Sequence, residues 1–172
     1  MQQETEKKPT FETSSKLRRV LIGRRPRWTL IRITVLVLVT FVLFKFVFIP
    51  VRVEGHSMEP TYHNGRFNLI NRLAYLRHEP KRGDVVAIKL AGYRAMLLKR
   101  IIGLPGERLT AKRGRVWVDG VRLDEPYLVN RVPWAEGEIV LLKDEFYVVG
   151  DNRSVSEHRA VKRDDIVGKA VF

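Results

Sequence analysis

A mainly β domain carried behind one membrane-crossing helix is the fold class this sequence predicts, and three observations predict it. Residues 28–49 form an apolar run long enough, as a helix, to cross roughly 30 Å of hydrocarbon. From Val51 onward, short runs rich in β-branched and aromatic residues alternate with Pro- and Gly-containing turns. Outside the apolar run, no amphipathic helical pattern lasts beyond a couple of turns. The chain has 172 residues, 45% hydrophobic and 30% charged, so it has room for one packed domain and is not a low-complexity or disordered polymer.

Residues 1–27 read as a polar, basic arm. Up to Arg32 there are nine Lys or Arg against three Glu, nearly half of the formal net charge of +13. The sequence turns oily immediately afterwards, from Ile33 to Phe44 and again from Phe46 to Ile49, with Arg32 and Lys45 placed to snorkel. Cations precede the run in bulk while only Arg52 follows closely, so the positive-inside rule predicts a cytoplasmic N-terminus and an extracytoplasmic remainder. A cleavable leader would need small residues before its cut, and Phe48-Ile49-Pro50-Val51-Arg52 offers none. The run is therefore expected to be an uncleaved signal anchor.

Residues 50–172 are expected to fold as the β domain. Strands are predicted at 66–70, 84–90, 94–102, 139–142, 145–149 and 166–172. Residues 115–123 read as a hairpin, because Asp119-Gly120 suits the positive-φ positions of a type I′ turn; it centres a small subdomain around 108–135. The four histidines lack metal-ligand spacing and there is no cysteine, so neither a metal centre nor a cofactor site is predicted. Nucleic-acid binding would use the positive charge, but the cations cluster on the arm and scatter elsewhere, with no aromatic platform among them.

Three segments carry chemistry beyond strand filler. Gly55-His56-Ser57-Met58-Glu59-Pro60-Thr61 presents a serine in a turn just after the apolar run; by itself this is ordinary turn composition. In Leu97-Leu98-Lys99-Arg100-Ile101-Ile102-Gly103-Leu104-Pro105-Gly106-Glu107, a lysine is embedded in an apolar stretch. It is either an edge-strand lysine with its amine in water or a desolvated amine whose pKa falls toward neutrality, as a general base requires. The third is Gly150-Asp151-Asn152-Arg153-Ser154-Val155-Ser156-Glu157-His158-Arg159. With no cysteine nucleophile and no histidine at a nucleophile elbow, a Ser-Lys dyad is the economical enzymatic reading.

Taken in this order behind a signal anchor, the segments resemble the type I signal peptidases, membrane-anchored serine proteases that remove signal peptides from exported proteins. Ser57 to Thr61 matches the family's Ser-Met-x-Pro-Thr, Lys99 to Glu107 its Lys-Arg-x-x-Gly-x-Pro-Gly-Glu, and Gly150 to Arg153 its Gly-Asp-Asn-Arg. Arg82-Gly83-Asp84-Val85 matches a structural strand entry. The resemblance implies Ser57 as nucleophile, Lys99 as general base and Ser156 as the serine that orients the lysine, with Ser154 the alternative. It also implies pairing of Asp151 with Arg100, supporting roles for Asn152 and Arg153, and substrate held against Gly55, Met58, Met96, Leu97 and Leu98. After Arg153 the chain is one residue shorter than the common family pattern, and Glu157 and Arg159 are expected to replace its Asp-Arg pair. Some members place an oxyanion-hole serine where Gly55 stands, which leaves more of that work to the Ser57 N–H.

The implied partners are preprotein signal peptides and the phospholipid of a bacterial cytoplasmic membrane. Three other readings stay open on the residues alone: a catalytically inactive or binding-only anchored relative, a soluble self-cleaving repressor-like Ser-Lys protease, and a nucleic-acid binder.

Overall fold

The computed structural model describes residues 26–89, 96–128 and 132–171. The chain divides into two units, residues 1–43 and 44–172. In the first, the helix α1 spans Pro26–Val42; the residues that follow it in the chain, Leu43–Val47, form a π-helical turn. Val, Ile and Leu point outward along its whole length, and Leu36 is 66% exposed. From Arg27 to Val47 this is the one stretch among the described residues long and apolar enough to cross a membrane. Its outward apolar surface is what a helix in hydrocarbon presents.

Among the described residues the second unit holds eleven strands. They are β1 Phe48–Arg52, β2 Phe67–Asn71, β3 Val85–Lys89, β4 Met96–Gly103, β5 Arg108–Lys112, β6 Arg115–Val118, β7 Val121–Arg122, β8 Glu136–Val140, β9 Glu145–Val149, β10 His158–Lys162 and β11 Ile166–Val171. Seven form one sheet in the order β1-β2-β11-β3-β4-β9-β10, and four form a smaller sheet in the order β7-β6-β5-β8. Every pairing is antiparallel.

The apolar pattern explains the layering. Val85 and Ala87 of β3 join a cluster with Val53, Met58, Tyr62 and Ile70, whereas Val86 and Ile88 join one with Ile101, Phe146 and Val148 on the other face. Because β3 is buried on both faces, its sequence is a continuous apolar run rather than an alternating one. The small sheet turns Leu109, Val116 and Val118 inward onto Ile102, Leu141, Tyr147 and Val149. At the tip of its hairpin Asp119 and Gly120 have φ of 49° and 79°, the left-handed pair a type I′ turn demands.

Where described, the expected strands form within a residue or two of their predicted ends, except that 139–142 is displaced to Glu136–Val140; residues 90, 94, 95 and 172 of the predicted strands, and residues 1–25 of the predicted arm, lie outside the described residues. Three strands are not among those the sequence predicts. β5 and β10 hold only two apolar residues each between charged residues, and β1 hides in the tail of the apolar segment. Phe48 and Ile49, assigned by sequence to the anchor, pair with Asn71 and Ile70, and Ile49 packs on the cluster around Ile70. An apolar residue serves a lipid-facing helix and a half-buried strand equally, so composition does not mark that boundary.

Candidate active site

The site lies where the ends of β4 and β9 meet the turn after β1. Strand β4 runs antiparallel to β9 with Arg100 opposite Val149, so the loop 150–157 leaves the sheet beside Lys99. That loop holds the serine turn. Asn152 N–H donates to the Ser57 carbonyl at 3.0 Å, and Asn152 Nδ2 donates to the His56 carbonyl at 3.1 Å. The turn is anchored from below by Met58 and Tyr62, both almost fully buried, and Tyr62 N–H donates to the Met58 carbonyl at 2.9 Å. Burial also pushes the Tyr62 hydroxyl up to about 12.

Gly150 is where the three sequence segments converge. A side-chain carbon at this residue would lie 2.1 Å from the Ser57 carbonyl oxygen and 2.4 Å from Ser156 Oγ. No residue but glycine lets both approach.

Lys99 is 5% exposed. Its Nζ donates to Ser156 Oγ at 3.0 Å. Ser156 Oγ also accepts from Gly150 N–H at 2.6 Å and donates to the Glu157 carbonyl at 2.9 Å. The hydroxyl is thus held from three directions. Burial lowers the Lys99 pKa below its ordinary value; the Glu157 charge opposes the shift and that of Arg159 adds to it. The hydrogen bond of Lys99 goes to Ser156 rather than to Ser57 among the described residues.

Arg100, the next residue, turns the other way into a saturated ion pair. Its Nε and Nη2 meet the two Asp151 carboxylate oxygens at 2.8 and 2.6 Å, and Nη1 donates to the Gly83 carbonyl at 2.7 Å. Thr61 Oγ1 donates to the same carboxylate at 2.5 Å, and the Tyr127 ring centroid lies 4.1 Å from the guanidinium carbon. The Asp151–Arg100 pairing is therefore formed. Arg153 pairs with the buried Glu125, and Arg159 Nη2 lies 2.7 Å from Glu157.

A cavity of about 50 Å³ opens beside Ser57. Met58, Met96, Leu97 and Leu98 line it with Val51, Val53 and Ala87, and Arg52 and Glu54 stand among its polar neighbours. Gly55 lies outside this lining, and its N–H is engaged by Asn64 Oδ1 at 3.1 Å. Ser154 caps its own loop, its hydroxyl donating to Asn152 Oδ1 at 2.6 Å. Sequence reasoning missed Glu125, Tyr127, Trp134 and Glu136. They lie between the recognisable segments, and nothing local in the sequence tells a buried partner from a surface charge.

Comparison with known proteins shows the family. The family model for signal peptidases, peptidase S26, matches residues 26–172. Signal peptidase I T of Bacillus subtilis is 33% identical over 155 residues, which cover 81% of this chain and 80% of that protein. Signal peptidase IB of Staphylococcus aureus is 31% identical over 165 residues, covering 83% and 86% respectively. A crystal structure of a signal peptidase I from Enterococcus faecalis aligns at 26% identity with a TM-score of 0.45, covering 53% of this chain and 96% of that one. The chain is thus a protease of the serine hydrolase class. It belongs to the signal peptidase family, peptidase S26, and its chemistry is the cleavage of signal peptides.

Proposed function

We propose that Ser57 and Lys99 form the catalytic dyad of a membrane-anchored signal peptidase, with Ser156 orienting the lysine. The observation that carries this reading is a lysine 5% exposed whose amine is hydrogen-bonded to a serine hydroxyl rather than to a carboxylate. Burial without a counter-ion favours the neutral amine, the form that accepts a proton. Neutral Lys99 takes the Ser57 hydroxyl proton while Oγ bonds to the scissile carbonyl carbon. The Ser57 N–H supports the resulting oxyanion. As the tetrahedral intermediate collapses, the lysine ammonium returns the proton to the leaving amine and leaves an acyl-Ser57 ester. A water molecule, deprotonated by the same amine, then cleaves the ester and frees the signal peptide's carboxylate.

The small cavity next to Ser57 suits an alanine-sized side chain and excludes bulk, so selection rests on size rather than charge. The apolar helix tethers the enzyme to the membrane in which its preprotein substrates are inserted, and the bias of cations before the helix puts the N-terminus in the cytoplasm.

The test compares wild type, Ser57→Ala and Lys99→Ala on a preprotein in detergent, with labelling of Ser57 by a serine-directed acylating inhibitor. Both substitutions are expected to abolish cleavage. Wild-type activity is expected to rise with pH through a lysine pKa below the ordinary 10.5. Cleavage surviving either substitution strikes out the dyad. A wild-type chain that neither cleaves nor labels is instead an inactive relative.

A further inference from the structure

The loop carrying Ser156 is gripped at both ends by side chains from the small-sheet region. At one end Arg153 pairs with the buried Glu125, and its guanidinium carbon lies 5.5 Å from the Trp134 ring centroid. At the other end the His158 ring centroid is 4.7 Å from that of the same Trp134. His158 Nε2 lies 2.6 Å from Glu136 Oε2. That oxygen also accepts from Trp134 Nε1 and from the Tyr147 hydroxyl, each at 3.2 Å. Glu136 opens β8 of the small sheet, while His158 opens β10 of the large one, opposite Val149.

We propose that His158 and Glu136 are positioning residues for the lysine base, fixing the backbone from which Ser156 presents its hydroxyl to Lys99 Nζ. The inference rests on the reading of Ser57, Lys99 and Ser156 given above. Its physical basis is the narrow tolerance of the hydroxyl. Ser156 Oγ makes three hydrogen bonds of 2.6 to 3.0 Å, and a backbone shift of about 1 Å would break at least one. Ser156 stands two residues before His158, too few to absorb such a shift. Arg153 and the Asn152 bonds to the serine turn tie the start of the loop, and the His158–Glu136 pair adds a side-chain tie where its other end enters β10. His158 also sits between Glu157 and Arg159, whose opposed charges both act on the Lys99 amine.

The experiment measures kcat and KM of the full chain in detergent on a preprotein for wild type, Lys99→Ala, His158→Ala, His158→Gln and Glu136→Gln. For His158→Ala, kcat is expected to fall about tenfold with KM changed less than about twofold, because substrate contacts are untouched. His158→Gln keeps a donor toward Glu136 and is expected to recover most of the loss. Glu136→Gln keeps the shape but removes the charge, and about a threefold fall in kcat is expected. A His158→Ala kcat within about twofold of wild type, a defect confined to KM, or a glutamine variant no better than alanine overturns the proposal. If His158→Ala does not fold, the nearly isosteric Glu136→Gln decides by the same kcat criterion. Lys99→Ala separates the two levels: activity surviving there refutes the dyad itself, whereas a dead Lys99→Ala beside an unimpaired His158→Ala refutes the positioning role alone.

Discussion

Lys99 and Arg100 are neighbours on β4, both long cations and both buried, yet the fold treats their charges in opposite ways. Strand alternation sends them to opposite faces. On one face Arg100 finds both oxygens of Asp151, the Gly83 carbonyl and the Tyr127 ring. Burial works against its charge, but the Asp151 hydrogen bonds and carboxylate outweigh it, and its pKa rises. On the other face Lys99 meets a neutral hydroxyl, and burial prevails. Depth in the protein does not set proton affinity; the partner does. A structural cation and a proposed catalytic base are thereby made from consecutive residues of one strand.

Exchanging each for an apolar residue of similar length breaks the comparison most sharply. Lys99→Met is expected to abolish cleavage yet stabilise the fold. The sign follows from linkage: with the folded pKa depressed below 10.5, the unfolded chain binds more protons between the two values, so wild-type stability rises with pH across that window. The charge-linked part of the gain from Lys99→Met is therefore largest below the depressed folded pKa and fades as pH rises toward 10.5. Arg100→Met goes the other way. It strands the Asp151 carboxylate, whose side chain is fully buried, and is expected to cost about 3–5 kcal/mol. Urea unfolding of both variants at neutral and alkaline pH checks the signs; a destabilised Lys99→Met would mean that its amine is charged and paired in the fold.

Gly150 joins the two corners, since Asp151 follows it and Ser156 Oγ rests against it. Gly150→Ala must displace the Ser57 carbonyl, a backbone atom 2.1 Å from the added carbon. We expect a loss of about 1–3 kcal/mol in stability together with strongly impaired acylation of Ser57. Normal labelling of Ser57 in this variant would show that the serine turn does not depend on that contact.

How much of this was legible beforehand differs between the two corners. Ser57, Lys99 and the Gly150 to Arg153 turn stand out because their residue types are costly or unusual where they lie. An amine inside Leu97-Leu98-Lys99-Arg100-Ile101-Ile102 calls for an explanation. The small sheet's contribution was hidden. Glu125 looks like loop decoration and Glu136 like a surface charge, and only the pairing of distant segments makes one a buried counter-ion to Arg153 and the other an acceptor for His158. Of the strands missed, β5 and β10 are short, with two apolar residues each between charged residues, and β1 continues the anchor's apolar run. Anchor and β1 share one apolar run because lipid and protein core select the same side chains.

The smallest expected effect bears on the hydroxyl facing Lys99. Ser156 and Ser154 lie two residues apart on one loop, and spacing alone leaves either free to orient the lysine. The hydrogen bonds distinguish them: Ser156 Oγ receives Lys99 Nζ at 3.0 Å, whereas Ser154 Oγ is engaged with Asn152 Oδ1. Ser156→Ala removes all three hydrogen bonds of that hydroxyl, the one from Lys99 Nζ among them, and leaves the lysine buried, so kcat is expected to fall by about tenfold, equivalent to about 1.4 kcal/mol, with KM little changed. Ser154→Ala should lie within about twofold of wild type, because the bond it loses is exposed and closes its own loop. Single-turnover kinetics of the two variants side by side decide the matter. The reverse order, with Ser154→Ala the more damaging, would move the orienting role to Ser154 and leave the Lys99–Ser156 contact as packing.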